Sequence, residues 1–369
     1  MPIFNQVVQG GGGSAPAHYV EKTVDANGVL KNSSNFIDLT GVDDIADYAL
    51  AYSYYDVVFP EDTTITIPCS RLANDRSLYF AFGSNSNRQS VVKNIKCIQF
   101  PNLTTIAGAY AAGYLFETGS CGLESFIVDK LETVSGSNCL DYAFRLNSPF
   151  AGATLQTVSC PKLELVSGSY CMRQCFYGQA ALNQVSMPSL KTISGQRAFD
   201  SIYAYTALQS LKFESLNIVS ANACMRSALQ SCNLLQSLWF YALDPNSFGS
   251  YTNQFNIMLT GCTNVTVHFP MAIQATIGSW SDVTAGFGGT TTTVLFDLIT
   301  SLTGADGNTY TRQEKDSTST ATAWVYNDTL YYTSGVSDND HGVNEPAVSD
   351  AIYSDAACTQ SVTTITAIA

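Results

Sequence analysis

Six copies of one apolar pattern run through the middle of this chain at a nearly constant interval, and that constrains its fold more than any other feature. The first copy reads Ile95, Ile98, Phe100, Leu103, Ile106, Gly108. The pattern returns as Leu123, Phe126, Val128, Leu131, Val134, Gly136, then as Leu155, Val158, Cys160, Leu163, Val166, Gly168. Leu182 to Gly195 carries the fourth copy and Leu208 to Val219 the fifth. The sixth begins at Leu235 and decays at Asp244-Pro245. Successive copies start 28, 32, 27, 26 and 27 residues apart. A unit of this size cannot bury its apolar face alone and does so by stacking on its neighbours, so the chain is expected to form a solenoid.

Each copy holds two local periods. Apolar residues first alternate, as in Val158 and Cys160 or Leu211 and Phe213, which is the period of a β-strand. The second half places apolar residues at i, i+1, i+4 and i+5: Ala111, Ala112, Leu115, Phe116, then Cys139, Leu140, Ala143, Phe144. Cys171, Met172, Cys175, Phe176, then Ala198, Phe199, Ile202, Tyr203, and Cys224, Met225, Ala228, Leu229 repeat it. That spacing predicts one face of a short helix. The expected fold is a β-rich α/β solenoid, one strand and one short helix per repeat.

The pattern L-x-x-[LIV]-x-[FVCM]-P-x-L-x-x-[IV]-[SA]-G resembles the BspA-type leucine-rich repeat. Its proline stands at Pro101, Pro161, Pro188 and Pro270 and is replaced by Asp129, Glu214 and Tyr241 in other copies. The resemblance implies a structural repeat and carries no catalytic residues. A degenerate half-copy at Val42 to Leu50 suggests an N-terminal capping region over residues 18–90, ahead of a solenoid over 91–275. Residues 1–17 end in Gly10 to Gly13, Ser14, Ala15, Pro16 and Ala17, a flexible anchor and linker. Residues 276–293, with Gly286, Gly288 and Gly289, read as a second linker. Residues 294–369 are expected to form a small all-β domain. Its strand signals are Ala323 to Tyr326, Thr329 to Thr333 and Val362 to Ile368, and Asp306-Gly307-Asn308 marks a hairpin turn. The N-terminal Pro-Ile-Phe-Asn-Gln-Val-Val-Gln with polyglycine, and this β terminus, are similar to segments of repeat proteins encoded by phages and prophages of gut bacteria.

Composition narrows the function. Apolar residues make up 46% of the 369-residue chain and charged residues 13%, which excludes a disordered protein. The net charge of −13, without a basic cluster, argues against nucleic-acid binding. No apolar run is long enough for membrane insertion, and the N-terminus has neither the basic nor the apolar part of a secretory signal. The Tyr-, Ser-, Thr- and Asn-rich composition looks extracellular, so the expected site of action is a virion or the exterior after lysis, following synthesis in the host cytoplasm.

Candidate chemistry is sparse. Three histidines, His18, His268 and His341, lie far apart in sequence. Most of the eleven cysteines occupy repeat columns, where free Cys packs as a small hydrophobe. Cys171 to Cys175 has no matching second pair for zinc, and no metal or other cofactor is expected. Asp338, Asp340 and Glu345 outline at most a weak calcium loop, with a solvated turn the simpler reading.

The expected ligand-binding face is the column between the inward strand anchors: Gln99, Ile127, Ser159, Ser186, Lys212, Trp239 and His268. An exposed Trp239 could stack on a sugar or anchor a protein partner, or pack against the C-terminal domain. The expected function is that of a non-enzymatic phage virion protein, a tail fibre, receptor-binding or decoration protein. Its expected partners are virion structural proteins at the N-terminal tip and a bacterial surface glycan or protein, with a trimer possible. The alternatives are a BspA-like bacterial surface adhesin and, further off, a glycan-degrading enzyme.

Overall fold

The computed structural model describes residues 18–19, 37–38, 43–45, 47–48, 50–51, 54, 58–83, 94–117, 122–146, 152–248, 253–299, 301–313, 321–327, 329–334, 349–354 and 358–368. They form a β-solenoid of about eight turns followed by an antiparallel β domain.

Each turn starts with a strand of the first sheet. Thr63–Thr66, Ile95–Gln99, Ser125–Ile127, Thr157–Ser159 and Gln184–Ser186 pair in parallel, and Ser210–Phe213, Ser237–Phe240, Thr266–Pro270 and Thr293–Leu298 continue the series as a second group. The chain then bends at the Pro-x-Leu corner into two-residue strands of a second parallel sheet: Arg71–Leu72, Thr105–Ile106, Thr133–Val134, Leu165–Val166, Thr192–Ile193 and Ile218–Val219. Parallel register puts like residues side by side, so Ile98, Phe126, Val158 and Val185 form one inward column.

The third side corrects the expectation of a helix in each repeat. The segments after the second-sheet strands are runs of tight turns, and the helical elements lie at Met271–Ile277, Ser281–Thr284 and Gly286–Gly288, beyond the six copies. The period here is four residues. A left-handed residue recurs at Tyr110 and Tyr114, Asn138 and Tyr142, Tyr170 and Gln174, Arg197 and Ser201, and Ala223 and Ser227. Backbone N–H groups alternate in their use. Ala111 and Gly113 donate within the turn, to Gly108 and Tyr110, while Tyr110, Ala112, Tyr114 and Phe116 donate to Ser137, Cys139, Asp141 and Ala143 of the next turn. Lateral bonding satisfies the groups that a helix would have bonded internally, and it is available only because a second copy lies alongside.

The apolar positions nevertheless point inward as the spacing predicts, and all five sets are buried. Phe82, Phe116, Phe144, Phe176 and Tyr203 stack in one interior ladder with centroids 4.8, 5.6, 5.4 and 5.8 Å apart. Cys139, Cys160, Cys171, Cys175 and Cys224 belong to the same core as free thiols, and burial pushes Cys160 and Cys171 up to about 12. The closing glycines of the pattern sit where coils approach most closely. A Cβ on Gly136 would lie 2.4 Å from the Gly108 carbonyl oxygen, and one on Gly168 2.3 Å from that of Gly136.

The boundaries shift from those read in the sequence. Thr63–Thr66 and Arg71–Leu72 already pair with the following copy, and Asp44 bridges to Arg71, so solenoid pairing begins inside the region expected to be a cap. Ile277, Val283 and Phe287 are buried in the solenoid core, so the stretch expected as a linker is its last coil. Thr293–Leu298 pairs in parallel with Thr266–Pro270, and the separate domain therefore starts at Ser301. From there six antiparallel strands close into a barrel around Leu302, Tyr310, Trp324, Ile352 and Ile365. Its first hairpin turns at Gly307, with Asp306 accepting from the Asn308 N–H and the Tyr310 hydroxyl.

Candidate functional site

The expected binding column is brought together in two parts. Gln99, Ile127, Ser159 and Ser186 are in direct register, and so are Lys212, Trp239 and His268. Gln99, Ile127 and Ser186 are exposed and Ser159 is half-buried, as an outward column requires. Trp239 departs from the expectation of an exposed indole. It is 6% exposed, lies flat on the His268 ring at 3.6 Å, and packs with Tyr241 and Leu298. His268 is buried too, and its Nδ1 lies 2.9 Å from Asp297. The cause is local. Leu298 ends the last solenoid strand, where the chain turns into the barrel, and an apolar cluster forms there at the expense of the open face. Asp338, Asp340, His341, Glu345 and residues 1–17 lie outside the described residues. Among the described residues no group of His, Cys, Asp and Glu is arranged to hold a metal ion, and no helix is long and apolar enough to cross a membrane.

The surface that sequence reasoning missed is the side built from tight turns. Many side chains at the left-handed positions and those preceding them reach the surface of this side, although Phe80, Asp141, Asp200 and Ala223 are buried there. Eight tyrosines collect there: Tyr48, Tyr79, Tyr110, Tyr114, Tyr142, Tyr170, Tyr177 and Tyr205, half-buried except for the exposed Tyr48. Arg76, Arg145, Arg173, Arg197 and Arg226 lie among them, whereas Lys96, Lys130, Lys162, Lys191 and Lys212 lie on the sheets or their corner. Arg71, on the second-sheet strand Arg71–Leu72, is the exception among the solenoid's described arginines; otherwise the two cations are segregated by face. Arg173 sits 4.8 Å from the ring centroids of both Tyr142 and Tyr170, and Arg145 lies 4.7 Å from Tyr142. Tyr114 stacks on Phe80 and on Tyr142 at 4.6 and 5.0 Å.

Carboxylates complete the ladder. Asp141 accepts two hydrogen bonds from Arg173, at 2.9 and 2.6 Å, and Glu117 accepts one from Arg145 at 3.2 Å. Asp200 lies 3.6 Å from Arg226 and 3.8 Å from Arg197. Burial pushes Asp141 up to about 6 and Glu117 up to about 7, with the arginines pulling the other way. Planar guanidiniums held between rings and carboxylates suit bidentate recognition and stacking, which a lysine ammonium cannot supply. The sequence held a signal for this face: Tyr, Arg and Asp recur at the polar positions between the inward pairs, where a reading of the apolar positions alone passes over them.

No family model, no curated protein and no solved structure matches this chain.

Proposed function

We propose that the chain is a non-enzymatic surface-recognition protein of a phage virion, a tail fibre or decoration protein, with the solenoid as its display element. The observation that carries the reading is the tyrosine–arginine face. Tyr and Arg are enriched among the residues that dominate the energetics of protein recognition sites. Tyr offers large contact area on few rotatable bonds, and the planar guanidinium of Arg stacks and donates directed hydrogen bonds. On this chain eight tyrosines and five arginines share one side of the solenoid, while Lys96, Lys130, Lys162, Lys191 and Lys212 lie on the sheets or their corner. A rod of stacked coils holds such a face flat over many turns, which suits it to an extended ligand such as a bacterial surface glycan or protein. The exposed residues Gln99, Ile127 and Ser186, with the half-buried Ser159 between them, offer a second, uncharged face for the same purpose.

The test is where the native protein sediments when a lysed producing culture is fractionated on a density gradient. Co-migration with virus-like particles, lost on removal of residues 1–17, is the expected result. Recovery with cell envelopes would overturn it in favour of a BspA-like adhesin of the bacterium itself.

A further inference from the structure

The repeat places proline at the corner between its two sheets, and three copies break that rule with Asp129, Glu214 and Tyr241. The breaks coincide with concavities. Asp129 lines an open charged groove with Lys130, Glu132, Lys162 and Glu164. Glu214 and Tyr241, at the same place in consecutive coils, line a single cavity of about 270 Å³ at the junction with the barrel. Asp244 and Ala272 contribute from the solenoid side, and Thr311 and Arg312 from the second barrel strand, Thr309–Gln313.

The walls are fixed. Tyr241 is buried and stacks on Trp239 with centroids 5.9 Å apart and ring planes nearly parallel. Arg312 donates to the Ile299 carbonyl at 3.1 Å and lies 5.7 Å from the Trp324 ring centroid. Burial raises Glu214 above the usual carboxylate range, with Lys212 opposing the shift. Pockets that hold small molecules favour domain junctions and run from about 300 Å³ upward, so this one takes a single ring rather than a chain.

We propose that this junction cavity binds one acidic sugar residue, its carboxylate on Arg312, its hydroxyls on Glu214, Asp244 and Thr311, and its ring against Tyr241. Arg312 is the cation among the lining residues and lies on the barrel side, whereas both acids lie on the solenoid side, so the cavity has a direction. A carboxylate at one end of the ligand and hydroxyls at the other match that polarity; a guanidinium pairs a carboxylate bidentately, and carboxylates accept from sugar hydroxyls. The site is distinct from the tyrosine–arginine face, and neither reading depends on the other.

The test titrates the full chain with methyl β-glucuronide and with methyl β-glucoside, read by saturation-transfer NMR and calorimetry. The expected result is binding of the glucuronide at least ten-fold tighter than the glucoside. Arg312→Gln should erase that preference, Arg312→Lys should restore part of it, and Glu214→Gln should weaken both probes. The NMR signal of the Trp324 indole N–H, which donates to Thr333 inside the barrel, reports whether each variant keeps that domain. Failure of the wild-type chain to bind the glucuronide, equal binding of the two probes, or a preference unchanged in a folded Arg312→Gln chain would each overturn the proposal.

Discussion

Arg173 and Asp141 stand on adjacent coils, joined by two hydrogen bonds, with the Asp141 side chain wholly buried and the Arg173 side chain 25% exposed. The pair ties neighbouring turns together at a place where the backbone has no sheet. Removing the arginine alone leaves a buried carboxylate without its cation. Arg173→Ala is expected to cost about 3 kcal/mol, the low end for a broken buried pair because one partner still meets water. Urea unfolding measures it. Asp141→Asn combined with Arg173→Gln should recover part of the loss, since the buried charge is then gone.

Stability should fall as pH rises from 5 to 8. Burial raises Glu117 to about 7 and Asp141 to about 6, and Asp44, Asp200, Glu214 and Asp282 are raised as well, against a lowered Asp306. A carboxyl with a raised folded-state value holds its proton in the native chain after the unfolded chain has released it. Its contribution is therefore full below the unfolded value, near 4, and is lost as pH passes the folded one. Urea midpoints at the two pH values test this. Glu117→Gln should flatten the upper part of the curve, between pH 6 and 8.

The solenoid was legible in the sequence because repeated columns must point inward whatever the backbone does between them, and Ala111, Cys139 and Phe176 do so. The helix was not. Apolar residues at i, i+1, i+4 and i+5 fit a period of 3.6 and a period of four equally well over so short a run. What decides is the lateral bond, such as Tyr114 N–H to the Asp141 carbonyl, and that belongs to two coils rather than to one. The domain boundary at 294 failed for a related reason, since Thr293–Leu298 has the composition of a barrel strand but pairs with the solenoid. The buried state of Trp239 follows from where the barrel begins, which its own repeat does not record.

Gly168→Ala should damage the fold far more than Gly307→Ala. A Cβ at Gly168 would lie 2.3 Å from the Gly136 carbonyl oxygen, a backbone atom held by its own stacking. The coils must part to admit it, with an expected loss of about 3 kcal/mol or more. At Gly307 nothing lies within 4 Å, and the alanine meets only the left-handed φ of 77°. That costs about 1 kcal/mol and should leave the solenoid's melting unchanged. Hydrogen exchange separates the two: protection should drop across the neighbouring coils in the first variant and only in the barrel hairpin in the second.

Trp239→Ala should act on stability before it acts on any ligand. The indole is buried between His268, Tyr241 and Leu298, so truncation opens a cavity and is expected to cost about 3–5 kcal/mol. Loss of cell binding in that variant would not locate a recognition site. Ser186→Arg, at the exposed edge of the neighbouring five-stranded sheet, tests that face without touching the core, and should leave the melting temperature where it is.

The tyrosine–arginine face can be disarmed without disturbing the coils that carry it. Tyr110 and Tyr170 occupy left-handed positions, where most side chains are strained, but the equivalent residue of the coil between them is Asn138, at φ 55°. Asn tolerates that conformation better than most residues and is already native to the column. Tyr110→Asn with Tyr170→Asn therefore removes two rings, one of them beneath Arg173, and keeps the backbone. If this face is the reader, binding to intact host cells should fall at least ten-fold, about 1.4 kcal/mol, a modest loss for two aromatic anchors. The melting temperature should move by only a few degrees. Unchanged binding in a folded variant would shift the reading surface to Gln99, Ile127, Ser159 and Ser186 or to the barrel. The two are then separated by Ser186→Arg, which blocks the sheet and leaves the barrel open.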